Sequence, residues 1–340
     1  MSLDRVVSLF DYGAGNVRSV RNAIKKLGYK VVDIRTPSDI DAADVIIFPG
    51  VGNYGRAVEI LESGGFMAPL LKYLQSNRPF FGICLGMQIL FEGSEESPSQ
   101  KGLGLIKGRV TKFNSKMVTV PHIGWNGIVL HKDTTIANAI KAANDAVYFV
   151  HSYRALPSEE NQEWILGCTT HGEPNNPNFI SAVQKGNVVG CQFHPEKSDK
   201  IGLNILKAFL ENINRKEETQ MILKLTGSER TMLRKRIVAC LDVRTNDNGD
   251  LVVTKGDQYD VREPSSIAGQ SKGNVRNLGK PVDLSERYFQ EGADEITFLN
   301  ITSFRTETLS DTPMLQVLEK ASEKIFLPLT VGGGIRPYTD

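Results

Sequence analysis

The sequence predicts an α/β protein in two parts: an open, mostly parallel sheet with flanking helices, then the front of a (β/α) barrel. Three observations carry this. Strand and helix signals alternate over the first ~200 residues, the pattern of helices covering both faces of a parallel sheet. A charged stretch without apolar period, 211–235, then interrupts the alternation. From Arg236 a second strand–helix series begins. The domains expected are therefore 1–211 and 236–340, joined by a linker over 212–235.

Val6–Phe10 reads as the first strand, and Gly13-Ala14-Gly15-Asn16 turns into a helix over Val17–Leu27 with Asn16 as its N-cap. Val45–Phe48 is a strand ending at Pro49-Gly50-Val51-Gly52, and helical segments follow around Ala57–Leu61 and Pro69–Gln75. The apolar run Pro79-Phe80-Phe81-Gly82-Ile83 is a short buried strand, and Leu85–Phe91 the helix after it. Short runs rich in turn residues from Gly102 to about Val183 predict an antiparallel or mixed extension. Val188–Phe193 is a strand that delivers His194, and Ile201–Asn212 is a closing helix. The second series offers strands Ile237–Leu241, Glu295–Leu299 and Ile325–Val331, with helices near Leu284–Gln290 and Met314–Ala321. Between its first strand and first helix lies a long loop, Arg244–Lys280, of a length usual for lids or disordered segments. A barrel needs about eight strands and ~250 residues. An open three-stranded parallel sheet leaves edges and an apolar face uncovered, so the sequence is expected to be the front part of a longer protein.

Composition narrows the class. With 340 residues, 40% hydrophobic, 23% charged and a net charge of +1, the chain suits a soluble protein of about two domains. The balanced charge gives no electrostatic case for nucleic acid or a membrane surface, and no apolar stretch is long enough to span a bilayer. Four cysteines without paired spacing imply a reducing compartment. Met1-Ser2-Leu3-Asp4-Arg5 runs straight into a strand, so no signal or transit peptide is expected. A cytoplasmic protein is expected, the alternative being a mature plastid protein stripped of its leader. Gly13-Ala14-Gly15-Asn16 lacks the third glycine of a dinucleotide fingerprint, and no cluster has metal-ligand spacing. Neither cofactor nor metal is expected. Asn300-Ile301-Thr302 matches a glycosylation acceptor but falls on a buried strand and is set aside.

The chemistry concentrates in Gly82-Ile83-Cys84-Leu85-Gly86 and His194-Pro195-Glu196. Cys84 falls on a sharp strand-to-helix turn, where flanking glycines permit strained backbone and close approach of a substrate. A helix N-terminus favours the thiolate, the nucleophilic form of cysteine. His194 is the proton shuttle, and Glu196, two residues on, shares its face of a strand and orients the imidazole. Pro195 argues for a strand end. The reading is a Cys-His-Glu triad. Taken alone, a Gly-x-Cys-x-Gly after a strand also describes a buried small residue in a turn, and a His-x-Glu a surface pair. Cys168, Cys191 and Cys240 lie in apolar strand-like runs and read as core.

With these residues in hand, the chain resembles the imidazole glycerol phosphate synthases in which glutaminase and cyclase share one polypeptide. Residues 5–211 resemble class I (triad) glutamine amidotransferases through Asp11-Tyr12-Gly13-Ala14-Gly15-Asn16, Pro49-Gly50-Val51-Gly52, the Cys84 elbow, Pro121-His122-Ile123-Gly124-Trp125-Asn126, His151-Ser152-Tyr153 and His194-Pro195-Glu196-Lys197-Ser198. Residues 236–340 resemble the first three βα units of the cyclase, through Arg236–Val243, Lys255-Gly256, Phe298–Thr302 and Val331–Ile335. Asn300 stands where bacterial relatives often have aspartate. The family's second catalytic aspartate and one of its phosphate sites would fall beyond residue 340.

The resemblance implies hydrolysis of glutamine to glutamate and ammonia, with Cys84 as nucleophile and His194 as acid and base. It implies an oxyanion hole from backbone N–H groups at Leu85 and near Val51, between Gly50 and Gly52. Gln88, His151 and Ser152 would contact the substrate amino acid, although Gln88 reads equally well as a helix-surface residue and His151 as a satisfied core polar group. In the barrel, Asp242 would be the general acid/base, or merely cap its loop. Lys255 would bind phosphate or carboxamide, and Gly332, Gly333 and Gly334 would cradle a phosphate. Arg236 and Glu295 would gate ammonia entry. The implied partners are glutamine, a phosphoribosyl-type ribotide and an intramolecular contact between the domains, in a protein that is monomeric when complete. The competing readings are a glutaminase of another synthase, a cysteine peptidase or chaperone of related fold, and a non-catalytic docking module in the second half.

Overall fold

The computed structural model describes residues 6–11, 13, 17–141, 146–172, 178–213, 220–221, 230–255, 275–301 and 312–333. The chain divides into two compact units, Met1–Lys235 and Arg236–Asp340. In the first, β1 (Val6–Phe10), β2 (Lys30–Ile34), β3 (Ile46–Gly50) and β4 (Phe80–Cys84) are parallel and stand in the order β2-β1-β3-β4. Val188–Cys191 adds to β4 in parallel, and the sheet then turns antiparallel through Asn178–Lys185, Ile165–Thr170 and Val129–Leu130.

Sequence explains this order. β3 and β4 are buried at every position, as strands with helices on both faces must be, and accordingly read as continuous apolar runs. The helix Val17–Lys26 buries Val17, Val20, Ala23 and Ile24, a helical spacing, and ends on Lys25 and Lys26, cations suited to its C-terminal dipole. Phe10 stacks on Phe48 at 4.6 Å and meets Phe66 edge-on at 5.0 Å, which seats the helical layer on the sheet. A second, four-stranded sheet holds Tyr153–Ala155, Ile106–Lys112, Phe91–Ser94 and Ser97–Lys101. His122–Asn126 pairs separately, antiparallel, with Val147–His151.

Several expectations need correction. The helix after β4 is a single turn, Leu85–Gln88, because Phe91 leaves it to pair with Ile106. That turn is too short to carry much macrodipole. His194 and Glu196 do not share a strand face: His194 caps a 3-10 turn, Pro195–Lys197, whose first residue supplies the proline. Segment 212–235 is not a free linker throughout, since Gln220–Met221 pairs with Lys132–Asp133 and Leu233 bridges Asn126. The Asn16 cap lies outside the described residues.

The second unit is an open four-stranded sheet in the order Leu251–Val253, Val238–Thr245, Glu295–Asn300, Leu329–Gly332, the last three parallel. Helices Pro281–Gln290 and Thr312–Ala321 stand near their expected places. The long loop contains a strand that sequence reading missed. Asn246 accepts from Asn248 and Asp250 backbone N–H groups, Gly249 takes φ +84°, and Leu251–Val253 folds back on Val238–Thr245. The third parallel strand begins at Leu329 rather than Ile325, after Pro328, which has no N–H for a ladder. Cys240 is exposed, not core. Among the described residues no helix is long and apolar enough to cross a membrane.

The tightest backbone approach lies at the end of β4. A Cβ on Gly86 would stand 2.0 Å from the Phe48 carbonyl oxygen, an atom fixed by the parallel pairing of β3 and β4. Gly86→Ala is therefore expected to lower the unfolding free energy by at least about 2 kcal/mol, or to prevent folding. Urea denaturation followed by circular dichroism measures it, and an unchanged midpoint would refute the packing argument.

Candidate active site

Cys84 ends β4 with φ +52° and ψ −104°, backbone that costs a non-glycine residue roughly 1–3 kcal/mol. The strain sits on the cysteine itself. Gly82 and Gly86 do not relieve it by positive φ; they let the one-turn helix press onto the sheet, a Cβ on Gly82 falling 2.4 Å from the Gly86 carbonyl oxygen. Strand register places Gly50 directly beside Cys84, so Val51 and Gly52 (φ +97°) leave the sheet next to that cysteine. Leu85 opens the turn on its other side.

Downstream, the strand Val188–Cys191 runs beside β4 and carries the chain to His194. The His194 N–H donates to Tyr148 O (2.9 Å), and Ser198 Oγ donates to His194 O (2.7 Å) while accepting from Tyr148 N (2.9 Å). The ring is thus held from its backbone. Its Nδ1 lies 2.9 Å from Glu196 Oε1, and the two side chains are only 2% and 1% exposed. Burial disfavours the imidazolium, but the Glu196 carboxylate and then Cys84 beside it outweigh that, and the His194 pKa is raised. For Glu196 burial acts upward, and His194 overturns it to give a net lowering. Burial instead pushes the Cys168 thiol up to about 12 and the Cys191 thiol well above its ordinary range, which leaves them poor nucleophiles.

Gln192 escaped the sequence reading. It is fully buried, and its Nε2 donates to Cys84 Sγ at 3.4 Å. The signal was present: a lone amide in the apolar run Val188-Val189-Gly190-Cys191-Gln192-Phe193. Gln88, read as open to a surface role, is buried too; its Nε2 donates to Gln192 Oε1 (3.0 Å) and Tyr153 O (3.2 Å). Buried His151 uses both ring nitrogens inside the protein, Nδ1 on Tyr153 O (2.8 Å) and Nε2 with His122 Nδ1 (3.0 Å). Ser152 is half-buried, and its carbonyl accepts from Phe113 N at 3.1 Å.

A strained cysteine beside a buried His–Glu pair is the constellation of an acyl-transfer site. Comparison with known families agrees. The family model "Glutamine amidotransferase class-I" matches residues 8–213, and "Histidine biosynthesis protein" matches residues 236–340.

The chain belongs to the class I glutamine amidotransferases.

Its relatives include the chloroplastic imidazole glycerol phosphate synthase hisHF of Arabidopsis thaliana, 53% identical over 99% of this chain and 54% of that protein. The Schizosaccharomyces pombe hisHF protein is 51% identical over 98% of this chain and 61% of its own length. The chain thus spans between half and two thirds of these fused relatives. Against the Methanocaldococcus jannaschii imidazole glycerol phosphate synthase subunit HisH the match is 45% identity over 61% of this chain and 99% of that subunit.

Beyond the amidotransferase part, register sorts the remaining residues of the second unit to the two ends of its sheet. Asp242 pairs with Leu299 and Leu299 with Gly332, so Asp242 and Gly333 (φ +92°) stand at the strands' C-terminal ends. Thr254 N donates to Asp242 O (2.9 Å), which brings exposed Lys255 to the same end. Arg236 Nε and Glu295 Oε1, 2.9 Å apart, form an ion pair at the N-terminal ends. Burial raises the Glu295 pKa against the pull of Arg236. Gly334 lies outside the described residues. Among the described residues no group of three or more His, Cys, Asp or Glu could hold a metal ion.

The amidotransferase core also holds two histidines that burial keeps neutral, with pKa values near 2 for His122 and about 3 for His151. Unfolded, both titrate near 6.5, so below that pH the unfolded chain binds more protons and stability falls as pH falls. His194, with its raised pKa, works oppositely but only above about pH 6.5; Glu196, with its lowered pKa, works in the same direction as the two rings but only in the acid range near its unfolded pKa. Between pH 6.5 and 5 the two neutral rings dominate, at up to about 1.4 kcal/mol per pH unit each. The urea midpoint is expected to drop measurably from pH 6.5 to pH 5; an equal or higher midpoint at pH 5 would contradict the neutral assignment.

Proposed function

We propose that the first unit hydrolyses glutamine and that the second is the front of a barrel that uses the ammonia. The observation that carries this is the buried His194–Glu196 pair set beside a strained Cys84. The thiol proton passes to His194 as Cys84 Sγ bonds to the side-chain amide carbon. The C–N bond then breaks, and ammonia leaves with the proton from His194 Nε2. His194 next takes a proton from water, whose oxygen attacks the thioester; glutamate departs and the sulfur recovers its proton. Backbone N–H groups at Leu85 and near Val51 would steady the oxyanion, with Gly50 and Gly52 flanking the Val51 segment. Glu196 holds the imidazole in one orientation and stabilises its cation. Gln88 and Ser152 would contact the substrate amino acid, and His151 would act only indirectly, since both of its ring nitrogens are already engaged.

For the second unit the reading follows the fused relatives. Ammonia would enter past Arg236 and Glu295 at the strands' N-terminal ends. At the other end Asp242 would transfer protons, while Lys255 and the Gly333–Gly334 backbone hold a phosphorylated ribotide. Products would be imidazole glycerol phosphate and an aminoimidazole carboxamide ribotide. The separation of these residues to opposite strand ends, read from register, supports a path along the barrel axis. A compartment with reduced thiols, cytoplasm or plastid stroma, suits a cysteine nucleophile.

Two measurements test the hydrolytic reading. Cys84→Ala should abolish glutamine turnover, and Glu196→Gln should lower kcat by roughly 10²–10⁴-fold, the scale of a mispositioned acid–base group. A glutamine-mimicking electrophile should give one adduct, on Cys84, that glutamine blocks. Exposed Cys240 reacts with general alkylators but gains no such protection. Turnover surviving in Cys84→Ala would end the proposal.

A further inference from the structure

Outside the triad, the buried polar groups of the first unit form one connected path. Gln192 Nε2 donates to Cys84 Sγ (3.4 Å), and Gln88 Nε2 donates to Gln192 Oε1 (3.0 Å) and to Tyr153 O (3.2 Å). The same carbonyl oxygen accepts from His151 Nδ1 (2.8 Å), so both of its lone pairs are in use. Beyond it, His151 Nε2 meets His122 Nδ1 (3.0 Å) and His122 Nε2 meets Asn126 Nδ2 (3.3 Å). The Asn126 amide also donates to Thr170 O (3.0 Å). Thr170 and Thr231 exchange two further bonds, Thr170 N to Thr231 Oγ1 (2.8 Å) and Thr231 N to Thr170 Oγ1 (3.1 Å).

This path has one polarity. At the inner end Tyr153 O can only accept, so His151 must carry its proton on Nδ1 and leave Nε2 as acceptor. His122 must then donate from Nδ1 and accept at Nε2. At the outer end Asn126 Oδ1 accepts from Gly127 N (2.8 Å), which fixes the amide the other way round as donor to both His122 and Thr170 O. Both ends dictate the same arrangement, so two neutral rings are frozen as Nδ1–H tautomers. Gln192, Gln88, His122 and Asn126 are 0–5% exposed, where a mismatched donor has no water to turn to. The amidotransferase motifs take in the triad and, separately, Gln88, His151 and the His122–Asn126 segment; they give Gln192 and the hydrogen bonds that join these groups no task.

We propose that Asn126, His122 and His151 are positioning residues for Cys84. They hold the Tyr153 carbonyl in place, that carbonyl fixes the Gln88 amide, and Gln88 presents Gln192 to the sulfur. Thr231 is the outer anchor, and it belongs to the segment that leads into the second unit. The proposal rests on the hydrolytic reading for its biological meaning, but not for its test.

The test uses the 340-residue chain and the rate constant for alkylation of Cys84 by iodoacetamide, read by mass spectrometry with exposed Cys240 as internal reference. A rate constant is indifferent to a misfolded fraction, which alters only amplitude. Asn126→Asp turns the outer donor into an acceptor and should change the Cys84 rate, and kcat with it, by about tenfold, the equivalent of one buried hydrogen bond of about 1.4 kcal/mol. KM for glutamine should move far less. His122→Asn keeps an amide donor near the place of Nδ1 and should recover part of the parental rate relative to His122→Phe. Thr231→Val, at a half-buried site that leaves the core intact, should shift the Cys84 rate at least threefold. Nitrogen-15 spectra should show His122 and His151 protonated at Nδ1 alone. Cys84 rates within twofold of the parent in both Asn126→Asp and Thr231→Val would overturn the proposal, as would Nε2–H tautomers in the parent. If the parent fails to hydrolyse glutamine, the functional reading falls, while the alkylation rates still decide this one.

Discussion

Everything at the candidate site depends on one close contact: the backbone of Gly86 lying against the Phe48 carbonyl, where no side chain fits. That approach fixes the single turn after β4 against β3. With the chain clamped on both sides of it, Cys84 has no route between strand and helix except positive φ. The strain is local and of order 1–3 kcal/mol, while the parallel ladders and buried aromatic layer that impose it are much larger. The same clamp sets Gly50 beside Cys84. The geometry of the candidate site is thus a by-product of packing a one-turn helix close to a sheet, and the two glycines matter for what they lack rather than for their freedom of rotation.

The second determinant is how one apolar interior treats its histidines. His194 and His151 are both buried, yet their pKa values move in opposite directions. The difference is the partner. Glu196 and Cys84 together stabilise the cation of His194 more than burial destabilises it, whereas His151 faces a carbonyl and a second imidazole, neither of which carries compensating charge. A protonated His194 near neutral ring neighbours has its charge directed to Glu196 and Cys84. Placing a further cation on His151 would compete with it, and His194 is itself one of the groups that depress the His151 pKa.

Much of this was legible from sequence, and the limits have physical causes. The parallel sheet was visible because strands buried on both faces cannot hide their apolar runs. The elbow was visible because a cysteine between glycines after such a run has few structural uses. The helix after it was overestimated, since local pattern could not report that Phe91 pairs with Ile106. His194 and Glu196 meet as expected but through a 3-10 turn, the proline preferring a helical first position to a strand end. Gln192 and the strand Leu251–Val253 were missed for different reasons. The first is a single polar residue whose partner lies on another strand; the second is set by turn chemistry inside a stretch read as loop.

The two units solve the problem of placing polar groups by different means. In the second, parallel register does it: the three parallel strands have their C-termini at one end, so Asp242 and Gly333 fall there, and Arg236 and Glu295 are left at the other. That is why backbone topology suffices to sort them. In the first, the candidate site sits where strands, a tight turn and a separate two-stranded sheet converge, and no register rule reaches across those elements. Side-chain hydrogen bonds have to do it, which accounts for the number of buried amides and imidazoles around a single sulfur. A buried group of this kind is stable only if each donor meets an acceptor along the entire path. The amidotransferase core therefore tolerates its polar interior through polarity of proton placement, and a change at Asn126 is felt at Cys84 because no link between them can reverse alone.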